Sequence, residues 1–537
     1  MQPLTLAVAA IALVGFALIS LLNHRRSKAT QAVKELPGPA LLPVIGRIHD
    51  LPIDYMWLKF KEWADIYGPI YKTEMLGTKF VIVSDEKIAE ELLVKRAKIY
   101  SDRPAAQSLF QPKVDYLPLM GKNHYWARQR RVTHDYMTGA HNAHYYGIMD
   151  LEVRRWMFRL LEKPQEFQWS LEDMAGKVMS TLTWDAPDQS EKLVPSAWGL
   201  LTQMSPAGPL TNVMTPLWHL PLFMNPWKKA EIKRYATQNA WWMERFVTVR
   251  AQMTQGQARH SWTSQYLESQ KTSKLSGDKE ASFMLGMMAL VGVFTVAGPL
   301  NYFLLAMVYH PQWQRKLQQE IDEVCKGRIP TLDDMPNLPL LRACIKETMR
   351  WKPNVPTGVA HELEEDDFYR GCFIAKGTRI LPFDLAFLRN PTKYPDPESY
   401  RPERWLESGW PTYQEPLSVY PTIKGMSSFG WGQRTCLGQN LTNDELFVAC
   451  GALAWAYDLK KKVDPVTGLD IEVDLNKSGS LLIIKPDPFV MEFTPRSEKR
   501  RQDIIDEYRE YQAKDDDERE TFAKAGAARH AETALPN

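Results

Sequence analysis

Apolar residues recur at helical spacing over long stretches of this chain. The 3.6-residue pattern predicts amphipathic helices over about Ile53–Tyr67, Ile88–Ala97, Asn123–Tyr136, Ala230–Thr254, Ser282–Tyr309, Gln312–Cys325 and Leu338–Trp351. Short β-like runs at Ile70–Glu74, Lys79–Val83, Arg379–Leu381 and Leu481–Ile484 predict strands. The fold class is therefore mainly α with small β-sheets. From Ser497 onward apolar residues are few and mixed charge is dense. That predicts a charged C-terminal tail over 496–537, either a solvated helix or a disordered segment.

The N-terminus follows another pattern. Leu4–Leu22 has no charge over 19 residues. As a helix it would span roughly 28 Å, about the hydrocarbon thickness of a bilayer. His24, Arg25, Arg26 and Lys28 follow, and nothing basic precedes. The positive-inside rule then places the body in the cytosol, behind one N-terminal transmembrane helix within an anchor of residues 1–28. A cleaved signal peptide is the alternative; the missing basic n-region and cleavage site oppose it. In ELPGPALLPVIG, Pro37, Pro39 and Pro43 stop any helix, so 29–46 reads as a stiff hinge. Residues 47–495 read as one catalytic body.

Composition narrows the class. Hydrophobic residues are 44%, charged residues 24% and net charge is +2, a globular balance that gives no reason to expect nucleic acid as a partner. The five cysteines are odd in number, scattered and free of CxxC pairs, which fits a reduced, intracellular setting. No G-x-G-x-x-G follows a strand and no phosphate loop is visible, so neither flavin nor dinucleotide is built in.

One cysteine is surrounded by unusual residues, in Phe429–Asn440, FGWGQRTCLGQN. A thiolate that ligates iron must be deprotonated, shielded and open to a flat macrocycle. Metal coordination supplies the deprotonation. Gly432 and Gly438 allow close backbone approach. Phe429 can cover the sulfur, and Arg434 can pair with a carboxylate of the macrocycle. The helix-like run after Cys436 would point backbone N–H groups at the sulfur.

FGWGQRTCLG matches the heme-binding signature of the cytochromes P450, F-x-x-G-x-R-x-C-x-G, at all five fixed positions. A chance match in a chain this long is rarer than about one in a thousand. The sequence resembles that family, microsomal type, from Leu36 to about Pro495, with YSDRP and HELEEDD similar to fungal secondary-metabolism members. Three motifs in the family's order agree. KETMR carries Glu347 and Arg350 of its E-x-x-R, and PERW carries Arg404; the resemblance implies that these three form a buried structural charge network. WARQR matches W-x-x-x-R, which implies that Trp126 and Arg130 bind heme propionates, as does His361 in PTGVAHE. The implied cofactor is heme b (iron-protoporphyrin IX), with Cys436 as axial ligand to the iron.

The oxygen side departs from the family. Its A/G-G-x-D/E-T-T falls on VGVFTV, so Gly292 and Thr295 match, Phe294 replaces the acid and Val296 replaces the second threonine. In the family this threonine assists dioxygen activation and proton delivery, which implies Thr295 as the catalytic residue. Pro299 lacks the N–H that would bond the Thr295 carbonyl, so the helix is expected to open there. The alternative is that Gly298-Pro299 ends one helix and starts another.

The resemblance implies a heme-thiolate monooxygenase that hydroxylates or epoxidises an apolar small molecule. The first choice of substrate is an aromatic polyketide. Val291, Phe294, Thr357, Val359 and Leu481 are implied pocket residues. Electrons would come from NADPH through a separate cytochrome P450 reductase in the endoplasmic reticulum membrane, on its cytosolic face. Lys122, Arg128, Arg131 and Lys424 would steer that reductase or simply be solvated. The rivals are a reductase-independent isomerase or dehydratase of the same fold and a non-catalytic heme-thiolate sensor.

Overall fold

A computed structural model describes residues 34–533 apart from 53, 107, 143–145, 206, 207 and 213. The helix expected over Leu4–Leu22 and its basic flank lie outside the described residues.

The body is built around one apolar helix. Before it run α1 (Met56–Tyr67), α2 (His124–Asn142), α3 (Tyr146–Glu162), α4 (Phe167–Trp184), α5 (Ser190–Met204) and α6 (Pro226–Thr254). The central helix is α7, Asp278–Tyr309. It is long and apolar enough to cross a membrane, but 83% of its most apolar window is buried inside the fold. It packs on α4, α5 and α6, and on α9 (Pro339–Trp351) and α10 (Gln439–Ala456), with α8 (Pro311–Cys325) between. Such burial on all sides explains its lack of a polar face.

Helix starts follow local chemistry. Proline occupies the first turn of α6, α8 and α9, where a missing N–H costs nothing. The Asn225 side chain caps α6 by accepting from Lys228 N, and the Glu320 carboxylate accepts from Leu340 N and Leu341 N at the start of α9.

A four-stranded sheet has the order β1 (Ile70–Met75), β2 (Thr78–Val83), β6 (Arg379–Pro382), β3 (His361–Glu362). The pair β1–β2 is an antiparallel hairpin whose turn, Leu76-Gly77, has positive φ at both residues, as a right-twisted hairpin requires. Two further hairpins are β4 (Asp367–Tyr369) with β5 (Cys372–Ile374), and β7 (Tyr457–Lys461) with β8 (Met491–Pro495).

Several expectations need correction. Leu481–Ile484 is no strand. It is a bent loop, with Leu482 N donating to Ser205 Oγ and Ile484 N to the Asn354 carbonyl. Ile88–Ala97 is not one α-helix; it widens to i→i−5 bonding over Glu90–Lys95. The C-terminal segment is neither disordered nor fully solvated. It forms α11 (Glu498–Thr533), which docks on α3. Ile504 is 1% exposed, and the Tyr508 ring stacks on Phe158 at 4.8 Å. Buried Arg154 donates to Glu507 at 2.8 Å and lies over the Tyr511 ring. Arg259 links Asp185 to Asp515, and Arg519 binds both carboxylates.

In α9 the Glu347 carboxylate is fully buried and accepts five hydrogen bonds. The donors are Arg350 Nε (2.9 Å) and Nη2 (2.7 Å), Arg404 Nε (3.1 Å), Trp405 Nε1 (3.0 Å) and Arg401 N (2.9 Å). Arg350 also donates to the carbonyls of Leu388, Pro397 and Ser399.

Glu347→Ala would strand two buried guanidinium groups, and about 3–5 kcal/mol of stability should be lost, read as a lowered denaturation midpoint. A variant that melts like the parent would refute the network's role. Ile504→Ala should cost about 2–4 kcal/mol if α11 is part of the folded body; an unchanged melting curve would mean that the contact with α3 carries no weight in solution.

Candidate heme-thiolate site

The loop that carries the cysteine is held from several sides. Two 3₁₀ turns, Ser427–Phe429 and Gly432–Arg434, lead into Cys436, and α10 begins three residues later. Cys436 N donates to the Phe429 carbonyl at 2.7 Å. Arg130 Nη2 donates to the Thr435 carbonyl at 2.7 Å, and Arg434 Nε to the Ser101 carbonyl at 2.7 Å. Ser427 and Ser428 both donate their hydroxyls to the Asp384 carboxylate, which is 2% exposed and pushed up to about 6 by burial.

Cys436 differs from its four counterparts. All five cysteines are free, and Cys436 alone is exposed. The space it faces is a cavity of about 290 Å³. Burial within the protein raises its thiol pKa, opposed by the Gly438 N–H on the sulfur and by Arg130. Among the described residues no cluster of three or more His, Cys, Asp or Glu is assembled to hold a bare metal ion.

One wall of the cavity is crowded with positive charge. Arg103, Arg130, Arg434 and His361 line it together with Trp126. Burial lowers the Arg103 guanidinium to about 9, with Arg434 and Arg130 adding repulsion, and lowers Arg434 to about 10. Arg434 sits over the Trp126 ring at 4.1 Å. Among the described residues Arg434 Nη1 and Nη2 and Trp126 Nε1 are buried and have no hydrogen-bond partner. Orphaned donors beside clustered guanidiniums suit a ligand carrying carboxylates at its edge. A porphyrin whose iron meets Cys436 and whose propionates meet Arg434 and Trp126 satisfies both features, so the residues fit heme.

His361 fits on stricter terms than the sequence suggests. It is 1% exposed, and Nδ1 lies 2.8 Å from the Tyr100 carbonyl, which only an N–H can satisfy. The neutral ring therefore presents Nε2 as an acceptor. Burial and then Arg103 hold its pKa well below the ordinary value. His361 can donate to a propionate only as imidazolium, with the propionate's own charge as counterion.

The oxygen-side residues lie in the same cavity. Val291, Phe294, Thr295 and Val359 line it, alongside Phe429 and Gly438. The Thr295 hydroxyl donates to the Val291 carbonyl at 2.8 Å. Phe294, in the acid's place, packs near the Trp198 ring. Six methionines complete much of this wall: Met137, Met179, Met204, Met284, Met287 and Met288.

Other predicted residues fall elsewhere. Thr357 and Leu481 do not line the cavity; neighbouring Val355, Gly358, Leu482 and Ile483 do. Gly432 (φ +53°) allows a close backbone approach, since a Cβ there would sit 2.2 Å from the Leu93 carbonyl. Of the four basic residues expected to steer a partner, Lys122 is tied to Glu364 and the Lys98 carbonyl, and Arg128 is paired with buried Glu280. Arg131 and Lys424 are exposed. Sequence reasoning missed Arg103, which YSDRP displayed, and Asp384 and Glu445, for which the chain offered no motif. Glu445 is 1% exposed, and burial pushes its carboxyl up to about 8.

Comparison with known proteins agrees with this geometry. The Cytochrome P450 family model matches residues 36–475. Cytochrome P450 monooxygenase virE of Hypocrea virens is 32% identical over 88% of this chain and 87% of its own. Cytochrome P450 monooxygenase claR of Ampulloclitocybe clavipes is 32% identical over 86% of each chain, and fogE of Aspergillus ruber is 30% identical over 88% and 89%. A zebra fish cytochrome P450 solved with progesterone superposes with a TM-score of 0.67 at 22% identity, over 82% of this chain and 99% of that one, a likeness of fold alone. On the family match and the fungal relatives, all named monooxygenases, the chain belongs to the cytochrome P450 family of oxidoreductases.

Proposed function

We propose that the protein inserts one oxygen atom of O2 into an apolar small molecule, by hydroxylation or epoxidation, in fungal secondary metabolism. The carrying observation is one cavity that contains a single exposed cysteine, the Thr295 hydroxyl and a rim of unpaired cationic donors. When bound, a thiolate-ligated heme activates dioxygen for insertion into C–H or C=C bonds with two electrons from outside.

The chain's own residues divide the remaining work. Cys436 supplies the ligand, and the Gly438 N–H and Arg130 stabilise its negative charge. Arg434 and Trp126 hold the carboxylate edge, with Arg103 and His361 beside them. The six methionines with Val291, Phe294, Leu482 and Ile483 exclude water and offer soft apolar contact. That lining carries no charge and favours a flat apolar substrate, with a small aromatic polyketide as first choice. Thr295 carries the hydroxyl that holds and passes a proton on the oxygen side. The acid that would feed it is absent at Phe294, so the proton must come through water or another group.

Electrons come from NADPH through a membrane-bound cytochrome P450 reductase, and exposed Arg131 and Lys424 are the basic residues left to meet it. The apolar Leu4–Leu22 and its basic flank support single-pass anchoring in the endoplasmic reticulum with the body on the cytosolic face. Phe294 favours one second reading, a reductase-independent isomerase or dehydratase of the same fold; turnover without NADPH would mark it.

In the reduced, carbon-monoxide-bound spectrum of the holoprotein, Cys436→Ala should abolish the thiolate-type band. Its survival would mean that another group is the ligand. Thr295→Ala should raise the share of NADPH electrons released as hydrogen peroxide when reductase is supplied; unchanged coupling would remove Thr295 from the proton path.

A further inference from the structure

Pro299 lies inside α7 and does not end it. In a regular helix the N–H of residue 299 would donate to the carbonyl of residue 295. Proline has none, so the Thr295 carbonyl loses its intrahelical donor. The structure supplies a replacement from outside the helix: Asn354 Nδ2 lies 3.2 Å from that carbonyl. Asn354 is 7% exposed, and its own carbonyl accepts from Ile484 N at 2.8 Å. Gly298 makes the approach possible, because a Cβ there would stand 2.8 Å from the Ile484 carbonyl and 3.2 Å from Asn354 Cβ. Three separate chain segments thus meet at the turn that presents Thr295.

We propose that Asn354 is a positioning residue for Thr295, its side-chain amide standing in for the N–H that Pro299 lacks. The inference rests on the reading of Thr295 as the oxygen-side hydroxyl. A buried carbonyl without a donor forces its peptide plane to turn, and the Thr295 side chain turns with it. The residues adjoining the brace, Val355 and Ile483, line the cavity. A ligand that presses on either one therefore acts on the segments that hold the Thr295 carbonyl. Substrate occupancy and the placement of the hydroxyl are mechanically linked through Asn354.

The brace makes a test by restoration available. Pro299→Ala gives back the helical N–H, so it should make Asn354 dispensable. In the holoprotein, Asn354→Ala and the isosteric Asn354→Asp should each change the rate at which reduced protein reoxidises in air-saturated buffer. The change should be roughly threefold or more, the factor an ordinary hydrogen bond commands. Heme content and the thiolate-type carbon-monoxide band should stay as in the parent. In the Pro299→Ala background the same Asn354→Ala change should leave the rate unaltered. Thermal melting should follow the same cycle, with Asn354→Ala lowering the midpoint of the parent and leaving that of the Pro299→Ala protein where it was. An Asn354→Ala protein with parental reoxidation, or one that Pro299→Ala fails to restore, overturns the proposal. Thr295→Ala separates the two layers: if it changes the rate and Asn354→Ala does not, only the brace is refuted. If Thr295→Ala leaves the rate unchanged, the reading of Thr295 falls and the proposal falls with it.

Discussion

The Glu347 carboxylate sits where water cannot reach it, and five donors converge on its two oxygens. A lone buried charge is expensive, so the surrounding chain must be arranged to surround it. Two guanidiniums answer one carboxylate, and backbone carbonyls take the surplus N–H groups of Arg350 and Arg404. The same helix reaches further along the chain: Arg342 donates to the Pro421 carbonyl and to that of Leu417, and Trp351 Nε1 to the Glu398 carbonyl. Nearly everything between 388 and 421 therefore hangs from α9. That stretch feeds directly into Ser427, Ser428 and the loop of Cys436, so the position of Cys436 is inherited from the buried carboxylate.

On the other side of the loop the electrostatic balance is left open. Arg103, Arg130, Arg434 and His361 share one wall with few opposing charges, and burial drives each toward its uncharged form. A dianionic ligand edge would relieve all four together. Binding of that ligand stabilises the folded state by mass action, because the unfolded chain holds no such wall. Glu347 completes its own charge network within the chain, whereas the cavity wall requires a guest.

The sequence made the long helices and the thiolate loop legible because their signals are local. Trp57, Phe60 and Trp63 mark one face of α1, and the spacing around Cys436 is fixed by turns only a few residues long. Other elements left no such trace. In α4, 15 of 18 residues are buried, so no polar face marks its period. In α5, Pro195 interrupts a helix that packing sustains. α11 looked solvated because, apart from Ile504, its inner face is built from Tyr508, Tyr511 and ion pairs to Arg154 and Arg259. The partners of Asn354 and Asp384 were invisible for another reason: each lies more than forty residues away. Pro299 announced a missing donor, but nothing local said where the substitute would come from.

The methionines of the cavity wall carry a cost of their own. Thioethers mould to a flat ring system, yet sulfur is also the most readily oxidised atom in an otherwise hydrocarbon lining. Conversion of one methionine to its sulfoxide would set a strong dipole and a new stereocentre where the wall had neither. An oxidising equivalent that misses its target inside this chamber meets thioethers in the lining, so the number of catalytic cycles a molecule survives is tied to how faithfully each is completed.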